Sequence, residues 1–233
     1  MAEYLLKEPI RQQLAVDLFR AGVFVISESG LPERTGVMGR NTPHWINIEA
    51  GITDPITRES IASNLAMLMV AKETPAFTSK RKANVLGYNH ILGDTQTMSI
   101  FATNIADRTK GNLLCYRPPA TLIGRIVGRF TEGDNVAVLS SAVSSRRAFA
   151  DVLATVSDSG LMLGDFFSLV DKEEGYVPEL SETSGIEVIS AIGVAEMTKT
   201  LRDSGEITQA QFGGVARYME QYGEPAANET LAA

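Results

Sequence analysis

Apolar residues in this chain follow two rhythms that alternate along its length. Spacings of three and four mark one face of a helix, and unbroken runs of four or five mark a strand covered on both sides. Ile10, Leu14 and Leu18 share a face between Pro9 and Gly22, with the proline suited to the first turn and the glycine to the stop. Val23 to Ile26 is strand-like, Ser27 to Asn41 reads as an exposed loop, and His44 to Ile48 reads as a second short strand. Asp54-Pro55 opens a helix carrying Ile61, Leu65, Leu68 and Met69 on one face, capped by Asp54 or Thr57. Lys80 to Lys82 reads as a solvated link, Asn84 to Tyr88 as a buried strand, and a polar loop through Gly93 and Asp94 leads to a helix at about Thr95 to Asp107. Strands are predicted at Leu113 to Tyr116, Ile126 to Phe130, Phe166 to Val170 and Ile186 to Ser190. Helices close the chain at Val194 to Asp203 and Thr208 to Tyr222, and Glu224 to Ala233 reads as a frayed tail.

The stretch Asn135 to Phe149 organises the rest. Val136 to Leu139 is an apolar run entered from the turn residues Gly133, Asp134 and Asn135. Small polar residues follow, and then Ala148, Phe149, Val152, Leu153 and Val156 recur at helical spacing. Strand, polar turn and helix in that order aim unpaired N–H groups and the positive end of a helix dipole at one spot, which suits an anion. Strands alternating with helices imply a parallel sheet covered on both faces. In such sheets ligands lie beyond the carboxyl ends of the strands, where strand order reverses.

Composition narrows the class. The chain has 233 residues, 44% of them hydrophobic and 21% charged, enough for a full core in one domain. A formal net charge of -7 and a pI near 5.0 give no footing for nucleic acid or an anionic membrane. Cys115 stands alone, so no intrachain disulfide can form, and it reads as a small core residue. No apolar run approaches the ~18 residues of a membrane span. The first residues carry Glu3, Lys7 and Glu8 instead of a signal-peptide pattern, so a cytoplasmic protein is expected. His44 and His90 have no partner at metal-ligand spacing.

The stretch Val136 to Arg147 resembles the phosphoribosyl-pyrophosphate (PRPP) motif of the type I phosphoribosyltransferases. In that family four apolar residues lead into two adjacent acidic residues, a Thr/Gly-rich phosphate loop and a helix. Within the family, segment order is similar to the orotate phosphoribosyltransferases over nearly the whole chain. Gly39, Arg40, Thr42, Pro43, His44, Trp45 and Ile46, followed by Asp54-Pro55, resemble its "SGR-x-SPYY-I" and "S-D-P" segments. Leu113 to Arg117 resembles the strand ending "VYVRK", and Gly128 to Asn135 the hairpin before the PRPP strand. Leu169 to Gly175 (LVDKEEG) resembles "VDREEG". The resemblance implies an α/β, Rossmann-like type I fold with helices on both faces and a small hood. It implies one domain over residues 1–223, the hood coming from the N-terminal part and the C-terminal part, with 224–233 as a flexible tail. It also implies a homodimer.

The chemistry departs from the pattern. Ser140 and Ser141 stand where the family has its acidic pair, and cannot supply charge for a divalent cation. Ser144, Ser145, Arg146 and Arg147 stand where it has Thr-Thr-Gly-Gly, so side chains occupy positions where bare backbone approaches a phosphate. No lysine remains between Arg117 and Phe130, where the family's mobile loop is Lys-rich. Losing one such preorganised donor typically costs about 3 kcal/mol of transition-state stabilisation. Lys172 replaces an arginine that, by resemblance, contacts orotate, keeping the charge but losing the fork.

The expected ligand residues of this altered motif are Ser140, Ser141, Ser144, Ser145, Arg146 and Arg147. Cations in a first helical turn oppose the dipole, so the two arginines either bind a phosphate or an acidic partner, or are solvated surface residues. Arg40, Trp45 and Lys172 are base-pocket candidates by resemblance, with core or dimer packing the plainer account of Trp45. Arg117 and His90 are loop candidates, His90 being placed in the pyrophosphate loop. Asp171, Glu173 and Glu174 read as a solvated acidic turn. The joint losses point to a homologue without standard PRPP-dependent transfer that binds a phosphorylated small molecule or a protein partner. No catalytic residue, metal site or cofactor is assigned. The alternative is an active orotate phosphoribosyltransferase making orotidine 5'-monophosphate with Mg2+.

Overall fold

The structure, a computed structural model, describes residues 5–32, 34–35, 40–72, 87–109, 111–116, 126–143 and 146–232, with the side chains of 34, 35, 146–148 and 183 set aside. The chain opens with α1 (Glu8–Arg20), β1 (Phe24–Ile26), β2 (Arg34–Thr35), β3 (Asn41–Thr42), β4 (His44–Ile46), α2 (Ile48–Thr53) and α3 (Pro55–Ala71). The sheet-forming middle is β5 (His90–Gly93), α4 (Gln96–Thr109), β6 (Asn112–Tyr116), β7 (Ile126–Val127), β8 (Asn135–Val143), α5 (Arg146–Asp158), β9 (Met162–Asp171), α6 (Tyr176–Ser184) and β10 (Val188–Gly193). It closes with α7 (Val194–Asp203), α8 (Gln209–Tyr222) and α9 (Pro225–Ala232).

Six strands form the central sheet in the order β10-β9-β8-β5-β6-β7. All neighbours are parallel except β7, which pairs antiparallel with β6 at the edge. Apolar clusters cover both faces. One gathers α1, α3, α4, α7 and α8 around Ala137, Leu139 and Phe167, and the other seats Phe149, Val152 and Val156 of α5 against Val136, Val138 and Phe166. Alternating residues of β8 and β9 therefore serve opposite cores, which is why both strands read as continuous apolar runs.

The helix starts follow local chemistry. Asp54 accepts the Thr57 N–H at 2.7 Å and caps α3, with Pro55 in its first turn. Thr208 and Gln211 form a reciprocal capping box on α8. The sheet strand near residue 90 lies later than expected. Residues 84–86 are outside the described set, and Tyr88 precedes the sheet, fully buried, with its hydroxyl donating to Asp165. Asn89 and Asn135 lock this register: each backbone N–H donates to the other's side-chain oxygen, at 2.8 and 3.0 Å. The second apolar run, His90–Gly93, is thereby drawn into the ladder.

The segment after Ser27 is exposed at Glu28, Ser29, Leu31, Pro32, Arg40 and Asn41, as expected, but it is anchored where buried Ser27 donates its N–H to Pro43 O and where Gly30 packs on α8. Two further expectations are corrected. The end of the chain is not frayed, because α9 buries Ala227 and Leu231 and Glu224 N donates to Glu173 O at 2.8 Å. Cys115 is exposed, because Leu114 takes the inward position and side chains alternate along a strand.

Gly30 and Gly214 meet backbone to backbone, which joins the β1–β2 connection to α8. A Cβ on Gly214 would lie 1.8 Å from Gly30 O, whereas one on Gly213 would meet only the Arg217 side chain at 3.5 Å. Gly214→Ala is expected to lose about 1–3 kcal/mol through forced separation. Gly213→Ala is expected to gain up to about 1 kcal/mol of helix propensity. Urea unfolding of the two variants side by side checks the contrast.

Candidate functional site

Strand order reverses between β5 and β8. From β5 the chain crosses through α4 to β6, and from β8 it crosses through α5 to β9, the other way. Pairing between the two central strands ends at Gly93 with Leu139, where Asp94 N donates to Leu139 O at 2.9 Å. β8 nevertheless runs on to Val143, paired only with β9. Ser140 and Ser141 are thus strand residues, not the turn expected of them. Ser140 sits opposite Ser168, and both hydroxyls donate to the carbonyl two residues on, at 3.3 and 2.9 Å. The extension forms one wall of a crevice whose other wall is Asp94, Thr95 and the first turn of α4. Thr95 caps that helix, its hydroxyl oxygen accepting from Met98 N at 3.1 Å. Gly93 is required for the close approach, since a Cβ there would lie 2.3 Å from Ser99 N.

Asp94 is the group that sequence reading passed over as part of a polar loop. Burial pushes its carboxyl up to about 6, partly offset by the nearby Ser140 and Thr95 hydroxyls. Its Oδ1 is buried without a hydrogen-bond partner.

The LVDKEEG segment leaves the end of β9 and is built in, contrary to the solvated turn expected. Asp171 Oδ1 accepts from Glu173 N at 2.8 Å, and burial, ahead of the Glu224 and Glu174 charges, raises the Asp171 carboxyl to about 6. Glu173, in the left-handed region at φ 55°, caps α7 by accepting Ala195 N at 2.6 Å. Glu174 accepts the Tyr218 hydroxyl at 3.0 Å, and Glu224 accepts Gly175 N at 3.0 Å. These carboxylates join the sheet edge to the C-terminal helices.

Above this edge, His44 and Tyr218 meet edge to face, ring centroids 5.4 Å apart. Burial and then the charge of Lys172 lower His44 to about 3, so the ring is neutral, and its Nε2 has no partner. Burial and the Glu174 charge raise the Tyr218 hydroxyl well above the ordinary phenol. Arg40 lies over the Tyr222 ring at 4.7 Å, lining a cleft of about 750 Å³ with Arg217, Tyr218 and Gln221.

Two of the base-pocket candidates thus lie near the His44–Tyr218 pair, Lys172 acting on His44 and Arg40 on Tyr218. Trp45 faces the other side of β4 from His44, opposite Val25. His90 is not in a loop: it begins β5 at the amino end, buried, 2.9 Å from Asp134 Oδ2. Its alternation with Ile91 in an apolar run hid the strand start. Arg146 and Arg147 open α5, directly beyond β8. Ser144, Ser145 and Arg117 lie outside the described residues.

No family model matches the chain. It is 22% identical over 221 residues to the orotate phosphoribosyltransferase of Chlamydia caviae, covering 93% of this chain and 98% of that protein. The structure superposes on an orotate phosphoribosyltransferase from Aeropyrum pernix with a TM-score of 0.62 and 19% identity, over 82% of this chain and 99% of that one. It superposes on Leishmania donovani UMP synthase with a TM-score of 0.75 and 19% identity, over 91% of this chain and 42% of that one. The chain has the type I phosphoribosyltransferase fold. In parallel sheets the point where strand order reverses is the position at which ligands sit, and Ser140, Ser141 and Asp94 stand beside it here.

Asp94 also makes stability depend on pH. A carboxyl raised from 3.8 to about 6 binds more protons folded than unfolded across that interval. The stabilisation is complete below the unfolded value and is lost as pH rises through the folded one. Asp94→Asn should therefore raise the thermal unfolding midpoint by about 5 °C at pH near 7.5 and change it little at pH near 4. Scanning calorimetry of both proteins across that range provides the check.

Proposed function

We propose that this chain is a homologue of the orotate phosphoribosyltransferases that has lost standard PRPP-dependent transfer and binds a phosphorylated small molecule, a nucleotide or sugar phosphate, at the carboxyl edge of its sheet. The observation that carries the reading is the neutrality of Ser140 and Ser141 at the wall of the crevice. Their hydroxyls can hydrogen-bond a sugar but cannot replace two carboxylates. Helix α5 opens on Arg146 and Arg147, which favours an anion over a bare helix N-terminus. Ser140 and Ser141 supply no charge for a divalent cation, so this pair does not fit the Mg2+ that transfer would use. No step is assigned through it.

Likeness to an enzyme over 93% of the chain favours a second reading, an active orotate phosphoribosyltransferase forming orotidine 5'-monophosphate from orotate and PRPP. Steady product formation from orotate, PRPP and Mg2+ would establish that reading and refute the first. The first expects no turnover above background, and melting-temperature increases with nucleotides that need no Mg2+. If no small molecule shifts the midpoint, a protein partner replaces the phosphorylated ligand. The proposal includes a cytoplasmic homodimer. Among the described residues no helix is long and apolar enough to cross a membrane. Light scattering at micromolar concentration should give twice the mass of the 25.1 kDa chain.

A further inference from the structure

We infer that Asp94 sets the specificity of the crevice, accepting a hydroxyl of a bound sugar monophosphate and excluding a second phosphate from that end. The inference rests on the phosphorylated-ligand reading above and names the class of ligand. Asp94 Oδ1 is buried without a hydrogen-bond partner, at the carboxyl end of β5 where strand order reverses. Buried acceptors are nearly always paired, so an unpaired one beside a ligand crevice reads as an acceptor awaiting a donor. The side chains that act on this carboxyl, Ser140 and Thr95, are both neutral hydroxyls.

Two classes of donor compete for that oxygen. A divalent cation is best held where carboxylates gather, and the groups beside the Asp94 carboxyl are the neutral hydroxyls of Ser140 and Thr95. A hydroxyl needs one acceptor, and a carboxylate makes that bond charge-assisted and short. A phosphate in the same place would set like charges together where water is scarce, which is strongly unfavourable. Across the crevice the chain rises through β8 to the N-terminus of α5, where an anion is favoured. A ligand with one phosphate and a hydroxyl-bearing body suits both ends. A ligand with phosphates at both ends does not.

Calorimetric titration without Mg2+ of the full chain and of Asp94→Asn, each against inorganic phosphate, ribose 5-phosphate and PRPP, tests this. Wild type should bind ribose 5-phosphate about tenfold more tightly than PRPP. The variant should lose about tenfold for ribose 5-phosphate, gain for PRPP, and leave inorganic phosphate unchanged. A general loosening of the fold would weaken all three ligands together. Equal ribose 5-phosphate to PRPP ratios in the two proteins, with phosphate still bound, would overturn the role of Asp94 and leave the phosphate reading standing. Failure of wild type to bind any of the three would overturn both. If the variant does not fold, wild type alone decides, because PRPP bound as tightly as ribose 5-phosphate contradicts the inference.

Discussion

The unequal pairing of β8 with its two neighbours is the constraint on which the site depends. Toward β9 the strand is hydrogen-bonded as far as Val143, but toward β5 only as far as Leu139. Four residues thus stand beyond the last rung on one side, and the backbone there is held rigid by the other. Parallel strands need a crossover, and crossovers leaving in opposite directions from β5 and β8 open a gap between their carboxyl ends. The crevice follows from topology and does not require any particular side chain. That is why a fold can persist over most of its length while the chemistry at its edge changes.

Charge at that edge is unevenly placed. Residues 140 and 141 are uncharged, yet a carboxyl stands one strand away at Asp94, acted on by the Ser140 hydroxyl. The acidic residues after β9 make structural contacts. Glu173 caps α7, Glu174 holds Tyr218, and Glu224 reaches back to Gly175. At Asp171 and Asp94 burial outweighs the opposing contacts and favours the neutral form. The basic side of the site lies over the sheet edge, where burial and then Lys172 keep His44 neutral and Arg40 rests on Tyr222.

Much of this architecture was legible in the residues. The faces of α1, α3 and α5, the capped starts of α3 and α8, and the run at Val136 to Leu139 all follow from spacing and capping chemistry. Resemblance carried the fold further than periodicity could, because short segments in a fixed order specify topology that hydrophobic patterns leave open. The misreadings share one cause. Ser140 and Ser141 looked like a turn because small polar residues favour turns, yet pairing with β9 keeps them in a strand. His90 looked like a loop residue because the first of two adjacent apolar runs was chosen as the strand. The closing segment looked frayed because Ala227 and Leu231 are too few to show a face until α7 is there to receive them.

The sequence by itself determined the alternation of elements, the two-faced burial of the central strands, and the absence of charge at positions 140 and 141. These are local or compositional properties, settled by side-chain volume, polarity and period. Only the tertiary structure decided which carboxylates are buried, which cap helices, and that Asp94 stands beside Ser140. Residues 46 positions apart in the chain are brought together there by strand order, and no local pattern records strand order.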